Sequence, residues 1–317
     1  MDISLLLFLQ DLDKSTGGIL RTIAEYISEL GASTFTVVIL IILYLSIDKK
    51  LGIRIMLIFS VGGLLNQTLK NAFTVNRPWV KNPQLVSTPK GYESATGYSF
   101  PSGHSQTAVA SYGNFAYYVG RKRKFLFWAS IIIMFLVPIS RLILGVHTPQ
   151  DVIGGMLTGL FGMVIWLKLE DWIVAKKGRD FIALGVSVVI IAAHLLYVSL
   201  KYYEVVVAAD GSLLVDPVAM VVDCYAVAGV ALAAIGGLIF EKHIVDFDVS
   251  GPAWVRIIRS VVGIAIFYAL YKGIGSLECI HIWAVSFIKM AVSFFFVVAI
   301  WPWFAGWYEK KLFRIGV

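Results

Sequence analysis

The sequence predicts an all-α polytopic membrane protein with about nine transmembrane helices and an N-terminal interfacial helix. Hydrophobic residues fill 58% of the 317 positions and charged residues only 15%, whereas soluble domains carry roughly 25% charged residues. Apolar stretches of about 20 residues, long enough to cross the hydrocarbon core of a bilayer, recur along the chain. One long polar interruption, residues 76–109, separates two of these stretches and needs a functional explanation.

Residues 1–33 precede the first predicted span and favour a helix that lies along the membrane surface. Apolar side chains recur there at helical spacing, which is typical of an amphipathic interfacial segment: Leu20, Ile23, Ala24, Ile27 and Leu30. No cleavable signal peptide is expected, because the apolar run at 3–9 is too short and no basic residue precedes it.

The predicted spans follow in chain order and end near the C-terminus. They are 34–48, 51–69, 102–120, 125–144, 152–170, 181–200, 218–240, 254–275 and 281–303.

Basic residues cluster in alternate short loops, and this pattern predicts the orientation. By the positive-inside rule those loops are cytoplasmic, which leaves the N-terminus outside. The clusters are Lys49, Lys50 and Arg54; Arg121 to Lys124; Lys176, Lys177 and Arg179; Lys242, Arg256 and Arg259; and Lys310, Lys311 and Arg314. The net charge of +7 is therefore a topology signal, and no nucleic-acid partner is expected. We expect an integral protein of a bacterial cytoplasmic membrane.

Three polar stretches fall on the opposite, outward face: 70–78, 101–104 and 140–151. The first two stretches lie at the two ends of one outward loop, and two membrane crossings separate the second from the third, so all three can converge. Their cations are Lys70, Arg77 and Arg141. Three buried cations repel one another and are costly to desolvate unless an anion joins them. A guanidinium group can also donate two parallel hydrogen bonds to two oxygens of one phosphate.

The second stretch also suits an anion. Ser102 is a plausible helix N-cap, Gly103 allows close backbone approach, and the amides at a helix N-terminus favour negative charge. Two histidines, His104 and His147, complete the set. One of them can attack phosphorus while the other protonates the departing oxygen.

Asp151 lies four residues after His147 and has two compatible interpretations. A carboxylate beside an imidazole fixes its tautomer and stabilises the cation formed on attack. Thr148, Pro149 and Asp151 also form a helix-capping pattern. No metal or cofactor is expected, because no cluster rich in Asp and Glu accompanies these residues and the cations can neutralise phosphate charge.

Together these residues resemble the three-part signature of the type 2 phosphatidic acid phosphatase (PAP2) superfamily, over about residues 34–170. The matching motifs are Lys70-x6-Arg77-Pro78, Pro101-Ser102-Gly103-His104 and Ser140-Arg141-x5-His147-x3-Asp151. The resemblance implies a PAP2-type helical bundle and metal-independent hydrolysis through a phosphohistidine. It assigns His147 as nucleophile, His104 as general acid and Asp151 as support for His147. The phosphate-binding positions that it implies are Lys70, Arg77, Ser102, Gly103 and Arg141.

The resulting division of the chain has three parts: an interfacial segment at 1–33, a catalytic transmembrane core at 34–175 and an extension of about four helices at 176–317. The expected substrate is an amphiphile that enters from the membrane lipid, a lipid phosphate or a polyprenyl diphosphate. One alternative is a soluble ester such as a sugar phosphate, since the topology resembles glucose-6-phosphatase. Another is an anion transporter or channel, although an anion filter requires no paired histidines. Soluble haloperoxidases share the motifs, but the spans argue against them.

Overall fold

The architecture is helical throughout the described part of the chain, which confirms the predicted class. A computed structural model describes residues 2–120, 123–205, 207, 213, 215–278 and 280–313, the last four by backbone alone. The basic residues Arg121, Lys122 and Arg314, used above for orientation, lie outside this set.

The helices follow one another along the chain. They are α1 (Asp2–Ser15), α2 (Ile19–Glu29), α3 (Ser33–Ile42), α4 (Lys49–Phe73), α5 (Pro78–Lys81), α6 (Pro89–Glu93), α7 (Gly103–Ala108), α8 (Lys124–Ile143), α9 (Pro149–Val174), α10 (Arg179–Leu200), α11 (Pro217–Phe240), α12 (Ala253–Gly275), α13 (Ile282–Phe295) and α14 (Trp301–Phe313). Turns of π-helix occupy Leu43–Ile47, Val109–Gly113, Ala116–Gly120, Glu241–Val245 and Phe296–Ile300.

Seven helices within the described residues are long and apolar enough to cross a membrane, so the predicted count of nine is not confirmed. They are Lys49–Lys81, Lys124–Ile143, Pro149–Val174, Arg179–Leu200, Pro217–Val245, Ala253–Gly275 and Ile282–Glu309. An eighth is obtained if Ile19–Glu29 and Ser33–Ile47, which meet at a bend of 42°, form one broken span. The remaining predicted span, 102–120, is helical but carries Ser, Gln, Thr and Asn along its length, and it is not among the seven.

The chain divides into two compact units that alternate along the sequence. One consists of Met1–Thr36, Leu65–Val164 and Leu200–Val221, and the other of Val37–Leu64, Ile165–Ser199 and Val222–Val317. The predicted functional division at residues 33 and 175 stays a prediction.

In the first unit, α1, α2 and α7 all pack on α8. Behind α2 lies a small apolar cluster of Ala24, Ala95, Leu144 and Val146, with Trp79 and Ile143 at its edge. This cluster joins the N-terminal segment to the polar loop and to the connection between α8 and α9.

Small residues on α9 let it approach α7 closely. A Cβ atom added at Gly155 would collide with the carbonyl oxygen of Ser102 and lie 3.0 Å from Cβ of Ser105. The contact is made by backbone, which cannot move aside as a flexible side chain would. Gly155 therefore sets the distance between α9 and the N-terminus of α7.

In the second unit, polar groups bind neighbouring helices together. The Tyr44 hydroxyl donates to the carbonyl oxygen of Val298 at 2.6 Å. The Arg259 guanidinium pairs with both carboxylate oxygens of Glu309, at 2.8 Å from Nε and 2.5 Å from Nη2. The Lys49 ammonium lies 2.6 Å from the buried Glu241 carboxylate.

We predict that Gly155→Ala lowers the free energy of unfolding by about 1–3 kcal/mol, because overpacking must displace α9 or α7. Thermal unfolding in detergent measures the change. The matched control is Gly185→Ala in α10, where an added Cβ meets nothing within 4 Å. Equal stability of the two variants would contradict the prediction.

Candidate active site

The site residues predicted from the sequence all belong to the first compact unit. They lie at the ends of helices: Lys70 in the last turn of α4, Arg77 before α5, Ser102 at the N-cap of α7, Gly103 and His104 in its first turn, Arg141 in the last turn of α8, His147 between α8 and α9, and Asp151 in the first turn of α9. Six of the eight are at least 93% buried, while Gly103 and His104 are partly exposed.

Arg77 connects two loops of the site through its guanidinium. Its Nε donates to the carbonyl oxygen of Gly97 at 2.9 Å, and Nη2 donates to that of Thr96 at 2.7 Å. Its Nη1 donates to the carbonyl oxygen of Val146 at 3.1 Å and lies 3.0 Å from Nε2 of His147. The side chain is 2% exposed, so these acceptors replace the water that the cation loses on burial.

Polar groups contact the His147 ring from two sides. Nη1 of Arg77 lies 3.0 Å from Nε2 and 3.5 Å from Nδ1, so it is off the lone-pair axis of either nitrogen. Nδ1 also lies 3.4 Å from Oγ of Ser99 and 3.7 Å from Oδ2 of Asp151. A proton on Nδ1 faces these two oxygen atoms and leaves the lone pair on Nε2. Burial, and next the charge of Arg77, lower the pKa of His147 well below its ordinary value of 6.5, although Asp151 acts in the opposite direction.

Asp151 caps α9 and also faces the imidazole. Its Oδ2 accepts hydrogen bonds from the amide of Thr148 at 2.7 Å, from the Thr148 hydroxyl at 2.9 Å and from the Ser99 hydroxyl at 2.6 Å. The capping pattern predicted from the sequence is therefore present. These three bonds hold the carboxylate in place beside His147.

Arg141 is the most deeply buried of the three cations, with no exposed surface. Its Nη1 donates to Oγ of Ser28 at 2.7 Å and to Oγ of Ser94 at 2.9 Å, and its Nη2 donates to the carbonyl oxygen of Ser94 at 3.3 Å. Among the described residues, Nε of Arg141 has no hydrogen-bond partner although the atom is buried.

Lys70 and Ser102 make local contacts that fix their segments. The Lys70 ammonium donates to the carbonyl oxygen of Tyr98 at 3.0 Å. Ser102 is the N-cap of α7, and its Oγ accepts from the Ser105 amide at 3.4 Å and from the Ser105 hydroxyl at 3.0 Å. The Tyr98 ring packs with Val215 and Met220.

His104 begins α7 among the basic groups of the site. Lys70, Arg77, Arg141 and His147 are all close enough to act on its charge. The three permanent cations share their surroundings with one buried carboxylate, that of Asp151. Excess positive charge in a buried setting favours an anionic ligand.

Three residues that contact the site were not predicted from the sequence: Ser28, Ser94 and Ser99. Serines in a helix or loop are common, and no spacing distinguishes Ser28 and Ser94 from other serines of the chain. Ser99 lies two residues before the second motif, Pro101 to His104, and this proximity was the one available signal.

Comparisons with known proteins agree with this arrangement. The family model of the PAP2 superfamily matches residues 50–174. A second model, described as PAP2 superfamily phosphatase, transmembrane extension, matches residues 225–309. No solved structure matches the chain.

Three relatives illustrate the similarity. Phosphatidylglycerophosphatase B of Bacillus subtilis is 32% identical over 152 residues, which cover 44% of this chain and 70% of the relative. Undecaprenyl-diphosphatase of Sulfolobus acidocaldarius is 32% identical over 130 residues, 41% of this chain and 60% of the relative. Lipid phosphate phosphatase delta of Arabidopsis thaliana is 22% identical over 196 residues, 58% of this chain and 47% of the relative.

The family resemblance predicted from the motifs is thus confirmed by two family models and by a relative matched over most of its length. The apolar helices and the transmembrane extension make the protein an integral membrane protein. The chain belongs to the PAP2 superfamily, and it is a membrane phosphate hydrolase of that superfamily.

Proposed function

We propose that the protein hydrolyses a lipid phosphate or polyprenyl diphosphate at the extracytoplasmic face through a phosphohistidine on His147. The observation that supports this most directly is the setting of the imidazole. Its Nδ1 faces Oγ of Ser99 at 3.4 Å and Oδ2 of Asp151 at 3.7 Å, and the Arg77 guanidinium lies beside the ring, 3.0 Å from Nε2. With its proton on Nδ1, the imidazole keeps a lone pair on Nε2 for attack on an anion bound by the cations.

In the first step, the Nε2 lone pair of His147 attacks phosphorus and the bond to the leaving oxygen breaks. The cations around His104 disfavour its protonated form without a ligand, and the bound phosphate dianion reverses that effect, so protonated His104 gives its proton to that oxygen. Lys70, Arg77 and Arg141, with the Ser102 hydroxyl and the Gly103 amide, neutralise the charge on the phosphoryl oxygens. Asp151 stabilises the positive charge that develops on the His147 ring.

In the second step, water attacks the phosphohistidine and neutral His104 takes its proton. The P–N bond breaks, and its electron pair returns to Nε2 of His147. Inorganic phosphate leaves, and both histidines regain their starting protonation states. In this scheme the cations of the chain supply the charge that a metal supplies in other phosphoryl transfer enzymes.

An amphiphilic substrate is supported by the relatives. One is named as a phosphatidylglycerophosphatase, one as an undecaprenyl-diphosphatase and one as a lipid phosphate phosphatase. A site at the ends of membrane helices also suits a substrate whose tail stays in the bilayer. A soluble sugar phosphate is the second candidate, favoured only by the topology expected from the sequence.

We predict that His147→Ala lowers turnover of a short-chain lipid phosphate in detergent with EDTA by at least about 10³-fold, because the nucleophile is lost. The matched control is His281→Ala, an exposed histidine outside the site, which should retain the parent rate. Quenched parent enzyme should carry an acid-labile, base-stable phosphoryl label that His147→Ala lacks. Undiminished turnover by His147→Ala would exclude the mechanism, and faster turnover of a hexose phosphate than of lipid substrates would exclude the substrate class.

We predict that the acid limb of the pH profile of kcat/KM lies below 6.5. Protonated imidazole cannot attack, so activity falls as the pH drops through the pKa of free His147, which burial and Arg77 hold below the ordinary value of 6.5. The profile is measured from about pH 4 to about pH 8 and corrected for ionisation of the substrate phosphate, whose second pKa is about 6. A corrected limb at or above 6.5 would contradict the prediction.

We predict that a cysteine at Glu93, exposed in the polar loop, reacts in intact cells with a membrane-impermeant maleimide. A cysteine at Lys177, exposed after α9, should react only after the membrane is opened, because basic loops stay cytoplasmic. Both are placed in a chain whose own cysteines are replaced by serine. The reverse pattern would put the site on the cytoplasmic face.

A further inference from the structure

The C-terminal turn of α2 lies against the site, although it precedes the residues matched by the PAP2 family model, 50–174. Ser28 is 5% exposed, and its Oγ accepts a hydrogen bond from Nη1 of Arg141 at 2.7 Å. Three residues later, a Cβ added at Gly31 would lie 3.3 Å from the carbonyl oxygen of His104. One helical turn thus contacts residues of both the second and the third motif.

The hydrogen bonds of Arg141 leave one edge of its guanidinium open. The group has five N–H donors in a rigid plane. The two on Nη1 go to the hydroxyls of Ser28 and Ser94, and one on Nη2 goes to the carbonyl oxygen of Ser94. The donor on Nε and the second donor on Nη2 remain. These two point in parallel from one edge and match two oxygens of one phosphate.

Nε is buried without a partner among the described residues. Other buried donors of the described residues also have no hydrogen-bond partner, such as Nε of Arg21 and of Arg256, but Nε of Arg141 lies beside the basic site, where an oxygen of a bound phosphate can satisfy it. The two serines bind the opposite edge of the planar group. Without them the Arg141 side chain can rotate about its torsions, and the Nε–Nη2 edge would then no longer face the site.

We infer that Ser28 is a positioning residue that holds the Nη1 side of Arg141 so that its Nε–Nη2 edge receives the substrate phosphate. The inference rests on the proposed function and deepens it, because it extends the phosphate site to the N-terminal segment. Ser28 is the firmer of the two anchors. It sits on a helix that packs on α8, which carries Arg141, whereas Ser94 lies exposed in a loop.

Binding of inorganic phosphate tests the inference without turnover. It is measured in detergent on proteins that carry His147→Ala, from the phosphate dependence of thermal unfolding. Ser28→Ala should weaken phosphate binding by about tenfold, the effect of one hydrogen bond to a charged group. The matched control is Ser15→Ala, whose exposed hydroxyl bonds only to the carbonyl oxygen of Leu12, and it should leave binding unchanged.

A double-mutant cycle with Arg141→Lys separates positioning from general loosening of the fold. A lysine has no planar edge for Ser28 to orient, so in that background Ser28→Ala should change phosphate binding by less than about twofold. Equal weakening in both backgrounds would make Ser28 a structural residue only. Unchanged binding in the single variant would also overturn the inference.

Kinetics of the otherwise unchanged enzyme distinguish this inference from the proposed function. Ser28→Ala should raise KM for a lipid phosphate and the inhibition constant of inorganic phosphate together, by about tenfold each. If His147→Ala abolishes turnover and Ser28→Ala changes neither constant, the function stands and the role of Ser28 fails. If His147→Ala keeps full turnover, the proposed function fails first.

Discussion

Burial of three permanent cations beside the buried carboxylate of Asp151 is the constraint on which the site depends. Such charges leave water only if other groups replace it, and here backbone carbonyl oxygens do so: Tyr98 for Lys70, and Thr96, Gly97 and Val146 for Arg77. The cations therefore organise the polar loop. The side chains that we propose to bind phosphate also fold the segments around them, so a change at one of these residues affects local structure as well as the proposed binding.

The start of α9 couples a helix cap to the chemistry of an imidazole. Asp151 accepts three hydrogen bonds that belong to the cap and to Ser99, and its carboxylate stays 3.7 Å from Nδ1 of His147. Because hydrogen bonds from Thr148 already hold this carboxylate in place, it can orient a neighbouring imidazole ring. The structure shows the cap, and it places the same carboxylate close enough to His147 for the support that the sequence predicts, which stays a prediction.

The sequence predicted the helical class, the position of most spans and the family, because apolar length and charged motifs are strong signals. The predicted count of nine spans is not confirmed, since residues 102–120 combine helix with polar side chains and are not among the long apolar helices of the described residues. It also missed the contact between Ser28 and Arg141. Small neutral residues such as serine form no recognisable sequence pattern. The carbonyl oxygens that accept hydrogen bonds from Arg77 belong to the backbone, and only the fold determines which groups a backbone carbonyl meets. The individual catalytic roles remain predictions until the variants are measured.

Residues Leu200–Val221 have a consequence for how this protein can be recombined with its relatives. They belong to the first compact unit although they follow the catalytic motifs in the chain. Within it, Tyr203 donates to the Asn71 side chain at 2.6 Å, and Met220 packs where Gly97 lacks a side chain. A chimera joined after residue 175 would replace Leu200–Val221, and with it residues that pack near Lys70 and Tyr98. Segments exchanged between this protein and its relatives should therefore follow the compact units and not a single boundary in the sequence.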